Sequence, residues 1–66
     1  MKFATLIEYH MYSLEVELHS GKKFHGVITS HNFEGTDMEF ISEISVMGEH
    51  SIDRIKCKDI KAIRRL

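Results

Sequence analysis

The chain has 66 residues, a formal net charge of −1 and one cysteine. Such a length makes one small domain that buries only about 60% of its unfolded surface, so we expect self-association to support its stability. A single thiol excludes an internal disulfide and favours a reducing cytoplasm. The near-neutral charge argues against a general polyanion binder, and we expect neither a signal peptide nor a membrane span, because no apolar run is long enough.

The charge is unevenly distributed along the chain. Residues 1–45 carry three lysines against seven carboxylates, a net charge of −4, whereas residues 46–66 carry six cations against three carboxylates, a net charge of +3. This asymmetry is compatible with head-to-tail packing of identical subunits or with a local anion site. It is equally compatible with a solvated basic edge strand that discourages aggregation.

The first predicted element is a short helix over about residues 5–12. Apolar side chains spaced by three and four share one side of it: Phe3, Leu6, Ile7 and Met11. Thr5 followed by Glu8 matches a capping box, which places the start of the helix near Leu6 and leaves residues 1–4 irregular. A strand over residues 2–7 is the rival interpretation, because Phe, Thr and Ile favour strands.

A β-hairpin follows, with strands over about residues 13–19 and 23–30. Leu14, Val16 and Leu18 alternate with polar residues, which is the period of a half-buried strand. Gly21 supplies the left-handed corner. A three-residue loop, Ser20 to Lys22, is predicted to pair Leu18 with Phe24, Val16 with Gly26 and Leu14 with Ile28, and so to place His25 opposite Glu17. A two-residue loop is rejected because it buries Lys23.

Three further strands complete the chain. Residues 31–36 are predicted to form a loop, and a strand over about residues 37–46 follows, with Met38, Phe40, Ile44 and Val46 facing inward and Ser42 interrupting that face. Another strand covers about residues 51–57, and its buried face is ambiguous between Ile52 and the pair Ile55 and Cys57. The spacing of Ile60 and Ile63 suits a 3₁₀ turn that enters a last strand over about residues 60–65.

These elements predict one mostly β domain over residues 1–66: a short N-terminal helix followed by a five-stranded, strongly curled sheet. Five short strands are too few for two good sheets, so closure into an SH3-like small β-barrel is expected. The first and last strands then leave edges unless they close on each other or pair with a neighbouring subunit.

Three segments of the chain resemble the Sm-like family of small β-barrels. Leu6–Gly21 resembles the opening helix and first strand of that family, Gly21–Ile28 its first motif and Arg54–Ile63 its second motif. The chain departs from the family where its nucleotide pocket lies. Asn32 stands near the acidic position of the first motif, no Met-Asn pair is present there, and Lys56-Cys57 replaces the Arg-Gly of the second motif.

The resemblance implies a non-enzymatic, self-associating module in RNA-linked regulation. Its nucleic-acid contacts map onto two segments, with His31, Asn32 and Phe33 offering base contacts and Lys56 and Lys58 holding phosphate. The plainer interpretations are that Phe33 anchors a loop and that the lysines lie on a solvated strand. The resemblance implies that the partner is RNA or a protein of the transcription and RNA machinery.

A narrower resemblance, centred on Ile55–Ile63, is to the Rho-binding antiterminator proteins. Those proteins have the same small barrel and bind a transcription termination factor through an acidic face. The resemblance implies that Glu15, Glu17 and His25 form a protein-binding surface here. The chain lacks the longer acidic N-terminal segment of that family. A small-ligand site between subunits is the third alternative.

The sequence contains no strong metal or catalytic motif. Its five histidines show no H-x-x-H spacing, and its single cysteine cannot form a C-x-x-C motif, so neither a metal site nor a cofactor is predicted. Histidines of two subunits could still meet across an interface. No nucleophile elbow, phosphate loop or paired carboxylates are present, which argues against an enzyme. Cys57 between two lysines is a conceivable nucleophile, but its alternating apolar strand favours a small core residue.

Overall fold

A computed structural model describes residues 1–66 and shows a mostly β protein with a short N-terminal helix. The helix α1 covers Phe3–Tyr9, and five strands follow: Leu14–Leu18 (β1), Lys23–Glu34 (β2), Asp37–Met47 (β3), Ile52–Lys56 (β4) and Ile60–Arg65 (β5). A 3₁₀ turn over Cys57–Asp59 joins β4 to β5 and leads into the last strand at Ile60, as predicted. No helix combines the length and apolar character that crossing a bilayer requires.

The five strands form one antiparallel sheet in the order β4-β3-β2-β1-β5. Strands β4 and β5 lie at opposite edges and are not paired with each other, so the predicted closure into a barrel is not present in the hydrogen-bonding pattern. The inner face of the sheet and α1 enclose a single apolar cluster: Leu6, Leu14, Val16, Ile41, Ile44, Val46 and Ile55. The sheet is therefore open at two edges but shares one core.

The β1–β2 hairpin has the predicted loop length but a different register. Its loop is His19–Gly21, because Leu18 N–H donates to Lys22 O at 2.8 Å and Gly21 N–H donates to Leu18 O at 2.9 Å. Gly21 has φ +93°, as the left-handed corner requires. Val16 consequently pairs with Phe24 and Leu14 with Gly26. This shift of two residues keeps every side chain on its predicted face.

The helix begins earlier than predicted. It starts at Phe3, and its N-cap is Lys2, so the Thr5/Glu8 capping box does not form. The cause lies in β3, because Ile41 N–H donates to Met1 O at 2.6 Å and Lys2 bridges to Phe40. These pairings hold residues 1–2 extended, where an irregular segment was expected.

Strand β2 runs through most of the predicted loop, since residues 31–34 continue its pairing with β3. Irregularities in that pairing flank Thr29 and Ser42. Ser42 Oγ donates to Asn32 O at 3.3 Å, which satisfies main-chain groups where the ladder is broken. A bulge reverses the alternation of side chains, so Ile41 is buried whereas Phe40 and Met38, predicted to face inward, are exposed.

Strand β4 resolves the ambiguity that its sequence leaves. Ile55 is buried opposite Ile44, Cys57 is half-buried, and Ile52 is exposed. The inward set is therefore Ile55 with Cys57. Residues Ile52, Arg54 and Lys56 share the outer face, because side chains alternate along a strand.

Candidate functional site

Lys56 and Lys58 border an open cleft at the end of β4, which we call the lysine cleft. Strand β4 positions Lys56 and the following 3₁₀ turn positions Lys58, and both side chains are exposed. The cleft has a volume of about 460 Å³, and its lining mixes both signs of charge with apolar groups: Met1, Glu34, Ile41, Ser42, Glu43, Lys56, Cys57 and Lys58. The structure thus brings the two predicted phosphate-binding lysines together.

Asn32 belongs to the same outer face as Lys56. Asn32 pairs with Glu43 across β2 and β3, and Glu43 pairs with Lys56 across β3 and β4, so the three side chains form one row. Asn32 Nδ2 donates to Glu43 Oε1 at 3.1 Å. The sequence prediction missed Glu43, because its position between Asn32 and Lys56 follows only from the strand register.

The chain segment from β4 through the 3₁₀ turn to β5 carries five cations without acidic partners, and we call these five residues the basic strip. No carboxylate oxygen lies within 4.0 Å of any side-chain nitrogen of its five members. Its members are Arg54, Lys56, Lys58, Lys61 and Arg65. The guanidinium of Arg65 lies over the Tyr12 ring, with 5.0 Å between its carbon and the ring centroid. The charge of the strip is available to an anionic partner, since its cations have no carboxylate partner.

His31 and Phe33 lie on the opposite face from Asn32. They pair with the buried residues Ile44 and Ile41 respectively, which places them toward α1. Their rings join Phe3 in an aromatic cluster, with centroids 5.5 Å apart for Phe3–His31, 5.4 Å for Phe3–Phe33 and 5.2 Å for His31–Phe33. The predicted base-contact residues are therefore split between two faces of the sheet.

Cys57 lines the lysine cleft but is half-buried. Burial raises the pKa of its thiol, and Glu43 acts in the same direction. Its sulfur makes no hydrogen bond to a histidine, and a raised pKa lowers the thiolate fraction at neutral pH. This environment is that of a packed side chain, as favoured from the sequence.

Glu15 and Glu17, the predicted acidic surface, are held by a cation from β5. Arg64 donates to Glu15 Oε2 at 2.6 Å and to Glu17 Oε1 at 3.2 Å. His25 Nε2 lies 3.0 Å from Glu15 Oε1, so its partner is Glu15 where Glu17 was predicted. Both glutamates are covered, with side-chain exposures of 18% and 16%.

The electrostatic consequence is a neutralised face. The hydrogen bond with His25 is the largest cause that lowers the pKa of Glu15, and Lys23 and Arg64 add to it. Hydrogen bonds to Glu17 and Glu15 raise the pKa of Arg64. No local sequence signal identifies this partner, because Arg64 and Glu15 are 49 residues apart in the chain.

A second concavity lies between α1 and the bulge of β2 and was not predicted. It has a volume of about 440 Å³ and no Asp, Glu, Lys or Arg in its lining: Phe3, Leu6, Ile7, His10, Ile28, Thr29, Ser30 and His31. No group of three or more His, Cys, Asp or Glu side chains is placed to hold a metal ion. The concavity is therefore suited to a largely apolar ligand.

Comparison of the chain with protein-family models, curated proteins and solved structures found no match. The resemblance to the Sm-like family thus stays a prediction. The second Sm-like segment, Arg54–Ile63, covers most of β4, the 3₁₀ turn and the start of β5. Its basic residues coincide with most of the basic strip.

Proposed function

We propose that this chain is a cytoplasmic, non-enzymatic Sm-like binding module that binds RNA or a ribonucleoprotein in RNA-linked regulation. The observation that carries the proposal is the basic strip, whose five cations have no carboxylate within 4.0 Å. Phosphate contacts with such cations supply most of the affinity of sequence-independent RNA binding. The cytoplasmic location rests on the single free thiol.

In this proposal Lys56 and Lys58 hold consecutive phosphates along the lysine cleft. Asn32 contributes an amide beside them, but its Nδ2 donates to Glu43 in the unbound protein. Glu43 and Glu34 also line the cleft and repel phosphate, so the backbone is expected to follow its lysine side. The rings of His31 and Phe33 pack with Phe3 on the opposite face, so they lie outside the proposed RNA site.

Self-association and closure into a barrel-like assembly form a second part of the proposal. Strands β4 and β5 are free edges, and two copies could join through them. Both edges belong to the basic strip, so two copies repel unless an anion lies between them. We therefore infer that RNA promotes assembly, and native mass spectra before and after nuclease treatment will show whether removing RNA dissociates it.

The experiment that tests RNA binding compares two double-lysine variants. Lys56→Ala with Lys58→Ala removes the cleft cations, whereas Lys22→Ala with Lys23→Ala removes equal charge from the hairpin. Binding of fluorescent oligouridylate is measured by anisotropy between about 50 and about 200 mM salt. In the cleft variant the negative slope of log K against log salt is expected to become shallower by about 1.4, because two phosphate contacts are lost and each contributes about 0.7 for a single strand.

The hairpin variant serves as the matched control and is expected to retain the wild-type slope. Lys22 lies over the Phe24 ring at 5.0 Å, away from the lysine cleft, so its removal leaves the proposed site intact. Equal slopes for the cleft variant and the wild type would contradict the proposal. Circular dichroism of each variant establishes that it is folded.

The antiterminator-like alternative receives no support from the geometry, because Arg64 and His25 occupy the acidic surface that it requires. The small-ligand alternative is favoured by one observation, the concavity between α1 and β2. Ile7 lines it and is half-exposed, so a bound apolar molecule would cover it. A ligand-observed NMR screen with wild type and Ile7→Glu tests this, and hits that survive the substitution count against it.

A further inference from the structure

The main chain of β4 offers free hydrogen-bonding groups at the edge of the sheet. Gly48 N–H donates to Ser51 O at 2.9 Å, which makes this pair a hydrogen-bonded one in the β3–β4 ladder. Because hydrogen-bonded and non-hydrogen-bonded pairs alternate in an antiparallel ladder, the N–H and C=O groups of Ile52 and Arg54 and the N–H of Lys56 point away from β3. The C=O of Lys56, the N-cap of the 3₁₀ turn, is used within that turn. No strand of the same chain lies on that side.

The side chains beside this edge combine apolar and basic character. Ile52 is 63% exposed and pairs with Met47, which is 44% exposed, and Met47 in turn pairs with Val27. These three residues form an apolar row on the outer face that ends at the edge. Arg54 and Lys56 continue the same face of β4 and have no acidic partner.

We propose that the β4 edge binds an extended acidic segment of a partner protein by strand addition. Main-chain hydrogen bonds to Ile52, Arg54 and Lys56 supply the affinity, as in other cases in which a peptide joins a sheet. Carboxylates on the outer face of the added strand pair with Arg54 and Lys56. An apolar residue of the same strand covers Ile52.

In the absence of RNA, charge complementarity selects this occupant over a second copy of the chain. The other free edge, β5, brings Lys61 and Arg65, and its remaining cation, Arg64, is already engaged by two glutamates. Placing β5 beside β4 without an anion between them brings like charges together, which destabilises cross-strand pairs. An acidic strand beside β4 replaces this repulsion between like charges with attraction.

This inference goes beyond RNA binding and does not depend on it. The two partners share Lys56, so strand addition and RNA binding are expected to exclude each other. They differ in what the protein contributes, since RNA uses side-chain cations whereas an added strand also uses the main chain of β4. That difference allows the two proposals to fail separately.

The probe is a capped peptide of about seven residues whose alternate, outward positions carry Val beside Ile52 and Glu beside Arg54 and Lys56, and the control is the same peptide with Lys in place of both Glu residues. Binding to the wild-type chain is measured by anisotropy, and hydrogen exchange is followed at the β4 amides. We expect the acidic peptide to bind and to slow exchange at Ile52, Arg54 and Lys56. Equal binding of both peptides, or binding without slower exchange at these amides, would overturn the proposal.

Substitutions at Arg54 separate the main chain from the charge. Arg54→Pro removes an outward N–H without touching the β3 ladder, and we expect it to weaken peptide binding by about tenfold or more. Arg54→Ala retains the N–H and is expected to weaken binding by about threefold. Arg65→Pro, at the opposite edge, is the matched control and is expected to leave the affinity for the acidic peptide unchanged.

Other occupants of the edge give different results. Concentration-dependent slowing of the β4 amides in the absence of peptide would assign the edge to a second copy and overturn the proposal. If Arg54→Pro and Arg54→Ala bind the acidic peptide with equal affinity, the main chain of β4 contributes nothing to binding, and this result would also overturn the proposal. Loss of RNA binding in Lys56→Ala with Lys58→Ala bears only on the proposed function.

Discussion

Gly26 occupies a position where the close approach of main chains excludes any side chain. A Cβ added there would lie 2.6 Å from the Met47 carbonyl carbon and 2.9 Å from Gly48 N, where ordinary contact begins at 3.4 Å. Its φ is not positive, so the constraint is space and not conformation. Gly26→Ala is therefore expected to separate β2 from the end of β3.

The size of the effect follows from what has to move. The neighbours are backbone atoms, with the Met47 carbonyl oxygen nearest, so no side chain can turn away. Ordinary contact with the Met47 carbonyl carbon alone requires a shift of about 0.8 Å, and the carbonyl oxygen requires a larger one. Overpacking typically costs about 1–3 kcal/mol, and one weakened ladder hydrogen bond adds about 1 kcal/mol. We expect a loss of about 3 kcal/mol in the free energy of unfolding.

Such a loss is a large part of the total for a chain of this size. At about 0.05–0.15 kcal/mol per residue, the whole domain has a stability of roughly 3–10 kcal/mol. A change of about 3 kcal/mol lowers Tm by about 12 °C or more in a domain of this length. Thermal and urea unfolding, followed by circular dichroism, will measure both quantities.

Gly35→Ala is the matched control for this prediction. Gly35 has φ +56° and nothing within 4 Å of an added Cβ, so alanine there meets conformational strain without crowding. That strain costs about 1 kcal/mol. If Gly26→Ala is no more destabilising than Gly35→Ala, the inferred approach of Met47 to Gly26 is wrong.

Three further predictions concern single side chains. Because the pKa of Glu15 is lowered in the folded state, its ionised form stabilises the fold above the unfolded pKa, and this contribution is lost as pH falls through the folded pKa. In Glu15→Gln the free energy of unfolding should therefore depend less steeply on pH between about 5 and 3 than in the wild type. An unchanged slope would contradict this. Burial raises the pKa of Cys57, so iodoacetamide at pH 8 should alkylate it more slowly than a peptide cysteine, and equal rates would count against a half-buried thiol. Phe33→Leu loosens the aromatic cluster and should lower Tm while leaving oligouridylate affinity unchanged; a loss of affinity in a folded variant would restore Phe33 to the RNA site.

The candidate site was predictable only in part. Lys56 and Lys58 lie two residues apart on either side of a strand end, so local spacing suffices to bring them to one cleft. The sequence also suggested His31 and Phe33 beside Asn32, because three consecutive residues in a loop can point in one direction. In a strand they alternate, and the extension of β2 through Glu34 separates them onto two faces.

Local period and turn chemistry by themselves determined the inward faces of β1 and β2, the left-handed corner at Gly21 and the mostly β class. These features depend on neighbours only a few residues apart. Tertiary structure decided the remainder, including the bulge that buries Ile41 in place of Phe40 and the hydrogen bond from Arg64 to Glu15, which spans 49 residues of sequence. Such features depend on how separate strands meet, and the period-two pattern of each strand is compatible with several registers.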